Sequence, residues 1–181
     1  MDPIETLRHE HDVILLVLEA ADQVARSLPA KLRTNPAWLD EFIDFARNFA
    51  DRCHHGKEER HLFVRLEQRG IPREGGPIGV MLLEHDQGRA FVRAVADSAP
   101  AAKAGDILAS EAVARNLSAY VELLRSHIAK ENDVLFVMAK QVLTATDLRE
   151  LEAAFERVET EEMGEGVHER YYELAHRLAG H

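Results

Sequence analysis

Cysteine occurs once in this chain, at Cys53, so no disulfide can staple the fold from within. Proline and glycine are sparse, six and ten among 181 residues. They gather in "SLPAKLRTNPAW" (27–38), "RGIPREGGPIG" (69–79) and "SAPAAKAGD" (98–106), which read as loops. No alternating apolar–polar stretch of strand length is present. The longest strongly apolar run, "VILLVL" at Val13–Leu18, falls far short of a membrane span. Basic residues number 22 against 32 acidic ones, and a net charge of −10 leaves nothing to neutralise phosphates. The opening "MDPIETLRHEHD" is acidic and polar, without a signal-peptide pattern. These absences predict a cytoplasmic protein with neither a nucleic-acid nor a membrane partner.

Aromatics are only 6% of the chain, so the core must rest mainly on Leu, Val, Ile and Ala, and 181 residues suffice for one sizeable core. Between the loops lie long stretches of good helix formers. They predict helices near 3–28, 38–69, 77–97 and 110–143, followed by a shorter C-terminal helical segment broken at "MGEG" (163–166). Spacings of three and four trace a seam on three of them. The first runs Ile4, Leu7, His11, Ile14, Leu18, Ala21, Ala25 and Leu28. The third runs Ile78, Met81, His85, Gly88, Val92, Val95 and Ala99. The fourth runs Leu117, Tyr120, Leu124, His127, Glu131, Val134 and Met138. Each is apolar except where a histidine or glutamate interrupts it. Such seams predict an all-α antiparallel four-helix bundle over 1–145, with an extra C-terminal helical segment, 146–181, packed on it.

What the chain has in quantity is histidine, ten residues of it, and much of it repeats. "EHD" occurs at Glu10–Asp12 and again at Glu84–Asp86, 74 residues on. "HHGKEERHLF" on the second helix resembles "HIAKENDVLF" on the fourth, with His54 and His127 73 residues apart. The chain reads as two copies of a helical hairpin, each with a His on its first helix and a His-x-x-x-Glu on its second. Residues four apart share a helix face, so each pair can reach one metal centre. A buried glutamate lacking a partner is costly, and no Lys or Arg stands in the seam beside Glu131 to compensate it. Four imidazoles and two carboxylates exceed the needs of one tetrahedral zinc. They suit two iron or manganese ions with bridging carboxylates and positions left open for oxygen species.

The order His, His-x-x-x-Glu, His, His-x-x-x-Glu, in "LRHEHDVI", "CHHGKEERHLF", "LLEHDQGR" and "HIAKENDVLF", resembles the hemerythrin-like family, the HHE cation-binding domain. The resemblance covers about residues 4–143. It implies a four-helix bundle holding two non-haem iron ions, with an oxo or hydroxo bridge, that meet dioxygen or peroxide; manganese and zinc are the alternative metals. The implied roles are oxygen or redox sensing, storage or iron handling. The rival is an enzyme consuming peroxide, as a catalase does, or reducing nitric oxide. By resemblance the ligands are His11, the helix-2 pair, His85, and His127 with Glu131. Two positions depart from the oxygen carriers. Arg89 stands where they have a second histidine one turn after the helix-3 ligand, and Asn132 where they have an aspartate five residues after the helix-4 histidine. The departures predict a set one imidazole short, with more open irons than a reversible carrier has.

Two registers compete on the second helix. His54 with Glu58 follows the match to "HIAKE", but its stripe is polar throughout. His55 with Glu59 lies on a stripe with Phe45, Phe49, Leu62 and Leu66, and Gly56 between them is a place where the helix could reset. His9 and His61 read as solvated, Cys53 as a small core residue, Tyr120 as packing or cavity lining, and His168 as a cap near the bundle mouth.

Overall fold

The computed structural model describes residues 2–28 and 30–180, and among these the protein is all-helical. Seven helices follow one another: α1 (Pro3–Ser27), the short α2 (Ala30–Thr34), α3 (37–68), α4 (Pro77–Lys103), α5 (107–142), α6 (145–163) and α7 (Val167–Ala179). Starts are fixed by local chemistry. The Asp2 side chain accepts from the amides of Ile4 and Glu5 with Pro3 at the first turn, and Asp106 accepts from Ala109. At α6, Thr144 and Asp147 form a reciprocal capping box. Asp147 also takes the guanidiniums of Arg65 and Arg69, which ties the start of α6 to the end of α3.

The four long helices match the sequence expectation to within a few residues, with one extension. α4 continues through Pro100 to Lys103, where a loop was predicted. Pro100, which offers no N–H, lies on the exposed outer side, while Ala99 and Ala102 stay buried and hold the last turns against the core. α6 and α7 are separated where predicted, by Gly164 and Gly166 with φ of 103° and 74°.

α4 packs along α5, to which residues 104–106 join it, and α1 packs on α5. α7 lies against α1 and α3. The Trp38 indole donates to the Leu178 carbonyl at 3.1 Å, and the Tyr171 hydroxyl to Asp44 at 3.2 Å.

Two apolar clusters result. One, around Leu18, Phe42, Phe45, Phe49, Leu117 and Leu124, fills one part of the molecule; the other gathers Ile4, Leu7, Phe63, Leu66, Ile78 and Phe136. Each such side chain contributes about 1.5–3 kcal/mol on burial. A layer of buried histidine, glutamate and lysine separates them.

α3 and α5 are not uniform helices. α3 widens to π geometry over Phe45–His55 and again over Glu58–Leu62, and α5 over Glu131–Leu135. Widened turns of this kind cluster at functional sites. Here they bracket the motif residues of both helices.

Candidate metal centre

The wide turn of α3 answers the register question by admitting both histidines. His54 and His55 are both buried, and each turns its ring into the polar layer. Gly56 keeps ordinary helical angles (φ −60°, ψ −41°), so the shift comes from the π segments on either side and not from a break at the glycine. Of the two glutamates, Glu58 alone points to the centre. Glu59 turns outward, accepts from His85 Nδ1 at 2.7 Å and bonds Arg89.

Seven side chains therefore converge. His55, Glu58, His85 and His127 form one group, and His11, His54, Glu58 and Glu131 a second; within each, the donor atoms all lie within 4.8 Å of one another and every residue is buried. Glu58 belongs to both, with one oxygen 3.6 Å from His54 Nε2 and the other 3.5 Å from His85 Nε2. Glu131 also spans them, its Oε2 lying 3.1 Å from His11 Nε2 and 3.2 Å from His127 Nε2.

All five imidazoles are oriented alike. His11 Nδ1 donates to Asn132 Oδ1 (3.0 Å), His54 to Glu10 (2.9 Å), His55 to Asp51 (3.3 Å), His85 to Glu59 (2.7 Å) and His127 to Glu84 (2.9 Å). An outward N–H on Nδ1 fixes the tautomer and leaves the inward Nε2 as a lone pair, the arrangement metal-ligating histidines have. The carboxylates are themselves held: Glu10 by Lys57, Glu84 by Lys130, and both Asp51 and Glu59 by Arg89.

Electrostatics support neutral rings at three of the five histidines, whereas at His127 burial is outweighed by Glu131 and Glu84, which hold it above its ordinary value. Burial pushes His54 and His55 down to about 4, against the pull of Glu10 and Asp51, so both rings are neutral at pH 7. Burial, then neighbouring His55, lowers His85 to about 3. Burial, reinforced by the charge of Glu131, holds Glu58 well above the usual carboxylate range. Burial pushes the Cys53 thiol up to about 12, so it stays protonated; it belongs to neither group and lies instead with Glu10 and His168.

The centre's inward atoms are those of a site that could hold a metal ion. The inward Nε2 atoms of His11 and His55 and all four oxygens of Glu58 and Glu131 are buried without a hydrogen bond. Polar atoms left so are costly. His85 Nε2 and His127 Nε2 face one another at 3.1 Å, so two lone pairs oppose each other unless a positive charge lies beside them. A bound cation would satisfy such atoms, and either group could hold one. The donors are nitrogen and oxygen only, which suits iron, manganese or zinc and excludes an iron–sulfur cluster.

Of the eight residues expected at the site, the structure gathers His11, His54, His55, Glu58, His85, His127 and Glu131 and sets Glu59 outside. The count of imidazoles is corrected as well. The predicted shortfall at Arg89 is made up by His55, because α3 presents two adjacent histidines where one was expected. Asn132 holds His11 from outside. Tyr120 lines a cavity of about 290 Å³ that reaches His55, Gly88 and Arg89. His61 is half-buried near Phe155, and His9 is exposed. Sequence reasoning missed the outer carboxylates and their cations, although the repeat carried a signal for them. The Glu before each "HD" (Glu10, Glu84) and the Lys before each helix-borne Glu (Lys57, Lys130) recur at the same offsets as the ligands.

The hemerythrin HHE cation-binding domain matches residues 2–139, and the chain belongs to that family. It is similar to the uncharacterized proteins Rv1995 of Mycobacterium tuberculosis and Mb2018 of Mycobacterium bovis, each 29% identical over 161 residues. That alignment covers 89% of this chain and spans 62% of the length of each relative. No solved structure gives a significant match. No helix among the described residues is long and apolar enough to cross a membrane.

Proposed function

We propose that the chain holds two non-haem iron ions and binds dioxygen or peroxide at them, as a sensing, storage or iron-handling protein. In this reading α1, α3, α4 and α5 form the family's antiparallel four-helix bundle, and α6 with α7 extends it. His55, His85 and His127 would hold one ion and His11 and His54 the other, with Glu58 and Glu131 available to both. The observation that carries the proposal is the set of buried, unpartnered inward atoms on His11, His55, Glu58 and Glu131. The bound pair supplies the redox chemistry and the open coordination position. This chain's residues keep the Nε2 lone pairs aimed inward and seal the centre between two apolar clusters.

A second reading, a peroxide-consuming or nitric oxide-reducing enzyme, draws on the cavity beside His55, a route by which a small molecule nears the centre. Absorption spectra of the iron-loaded protein, taken without air and then with it, separate the two. A near-ultraviolet charge-transfer band that appears with air and bleaches reversibly on deoxygenation supports binding. Oxygen evolution from added peroxide, lost in Glu131→Ala while the fold survives, supports the enzyme. A colourless protein that never develops the band contradicts both.

A further inference from the structure

His168 lies on α7, beyond the stretch that matches the family, yet it reaches into the outer layer of the centre. Its Nε2 donates to Glu10 Oε1 at 2.9 Å, while Glu10 Oε2 accepts from His54 Nδ1 at 2.9 Å. Glu10 is fully buried, as is Lys57, whose ammonium pairs with Glu10 on one side and with Glu159 of α6 at 2.5 Å on the other. The His168 ring is clamped by Tyr172, perpendicular at 4.8 Å between centroids, and by Phe49 at 5.4 Å, which points it at Glu10. On its outer side His168 lines a cavity of about 470 Å³ with Thr6, His9, Phe155, Glu159 and Tyr172.

The internal repeat provides a comparison within the molecule. Glu84 and Lys130 are the counterparts of Glu10 and Lys57, and Glu84 holds His127 as Glu10 holds His54. Lys130 is 40% exposed where Lys57 is 0% exposed. The two halves share one design, and Glu159 and His168 of the C-terminal helices cover the pair that serves His54.

We propose that His168 is a positioning residue for the metal ion at the His11/His54 end of the centre, acting through the hydrogen bonds His168 to Glu10 to His54. Glu159 supports it by holding Lys57. The inference rests on the two-ion reading above. A carboxylate bound to a ligating imidazole fixes the ring and raises its basicity, and losing such a partner costs about 10–100-fold in metal affinity. α6 and α7 thereby make the two metal positions unequal, strengthening the ligand set of the one with fewer imidazoles.

Ferrous iron titrated anaerobically against a competing chelator yields two binding constants for the full chain. In His168→Ala, which leaves Glu10 in place, one step weakens by up to about 10-fold, the low end of what losing a ligand's own partner costs, and the other is unchanged. His168→Gln, which returns an N–H toward Glu10, recovers most of the loss, and His176→Ala, on the exposed face of α7, matches wild type. Glu159→Ala weakens the same step by less, and it carries the test should His168→Ala fail to fold. Circular dichroism and thermal melting of the metal-free proteins separate a lost fold from a lost ligand geometry. Equal weakening of both steps, or none, in a folded His168→Ala overturns the inference alone. A wild-type chain that takes up fewer than two ions overturns the two-ion reading and this inference with it.

Discussion

Glu10 and Lys57 form an ion pair that solvent does not reach, whereas Glu84 and Lys130, their counterparts in the internal repeat, form the same pair at the surface. Both glutamates accept from a centre histidine, so position in the repeat and role in the site are the same. Only the surroundings differ. Burial works against the charge on Lys57, and Glu10 outweighs it, so the amine is held above its ordinary range. A buried charge stripped of its partner costs far more than an exposed one.

Lys57→Met therefore destabilises the protein by about 3–5 kcal/mol, because Glu10 is left charged and buried. Lys130→Met costs about 1 kcal/mol or less, since its pair is screened by water. Urea denaturation of the metal-free variants measures the difference. Equal losses contradict the account of the C-terminal cover.

Glu58→Gln separates the fold from the site. Burial and the neighbouring Glu131 already hold the Glu58 carboxyl toward its neutral form in the metal-free protein. A carboxamide of the same shape removes the repulsion, so metal-free stability stays level or rises by about 1 kcal/mol. Metal uptake falls from two ions to one at most. A destabilised metal-free variant that still binds two ions argues against Glu58 as the shared donor.

Arg89→Met tests the other outer layer. Its guanidinium bonds Asp51 at 2.8 Å and Glu59 at 2.6 Å, and those carboxylates orient His55 and His85. Metal affinity at the three-imidazole position drops about 10–100-fold. Competition with a chelator reads it, and an unchanged affinity means the two rings hold their orientation by packing alone.

Acid weakens the metal-free protein in a defined window. His54, His55 and His85 titrate near 6.5 when unfolded and at about 4, 4 and 3 when folded, because burial disfavours the imidazolium. Between these values the unfolded chain binds more protons, so stability falls as pH drops from about 6.5 toward 4. Each imidazole contributes up to about 1.4 kcal/mol per pH unit. Glu58 and His127, both raised in the fold, oppose this in part, two groups against three. Urea midpoints of the metal-free chain at pH 7 and pH 5 check the sign. A higher midpoint at pH 5 contradicts it.

The helices and most of the site residues were legible in the sequence because an apolar seam at helical spacing leaves its interruptions visible: His11, His85, His127 and Glu131 stand out against Leu, Val and Ile. The second helix was not legible to the residue. Its turns widen to π geometry on both sides of Gly56, and no periodic template of 3.6 residues brings His54, His55 and Glu58 to one face. The outer layer escaped for a different reason. Glu10, Lys57, Asp51 and Arg89 sit beside the seam and look like ordinary charged helix surface until neighbouring helices bury them. His168 belongs to the same class, since its partner is 158 residues away and no spacing in the chain announces it.

On the proposed reading, the seven gathered side chains hold a pair of iron ions. The metal content of the purified full chain, by elemental analysis alongside its near-ultraviolet spectrum, tests it most directly. The account predicts two irons per chain with a charge-transfer band that Glu58→Gln abolishes. A colourless protein carrying zinc, or a single ion that Glu58→Gln leaves in place, contradicts it.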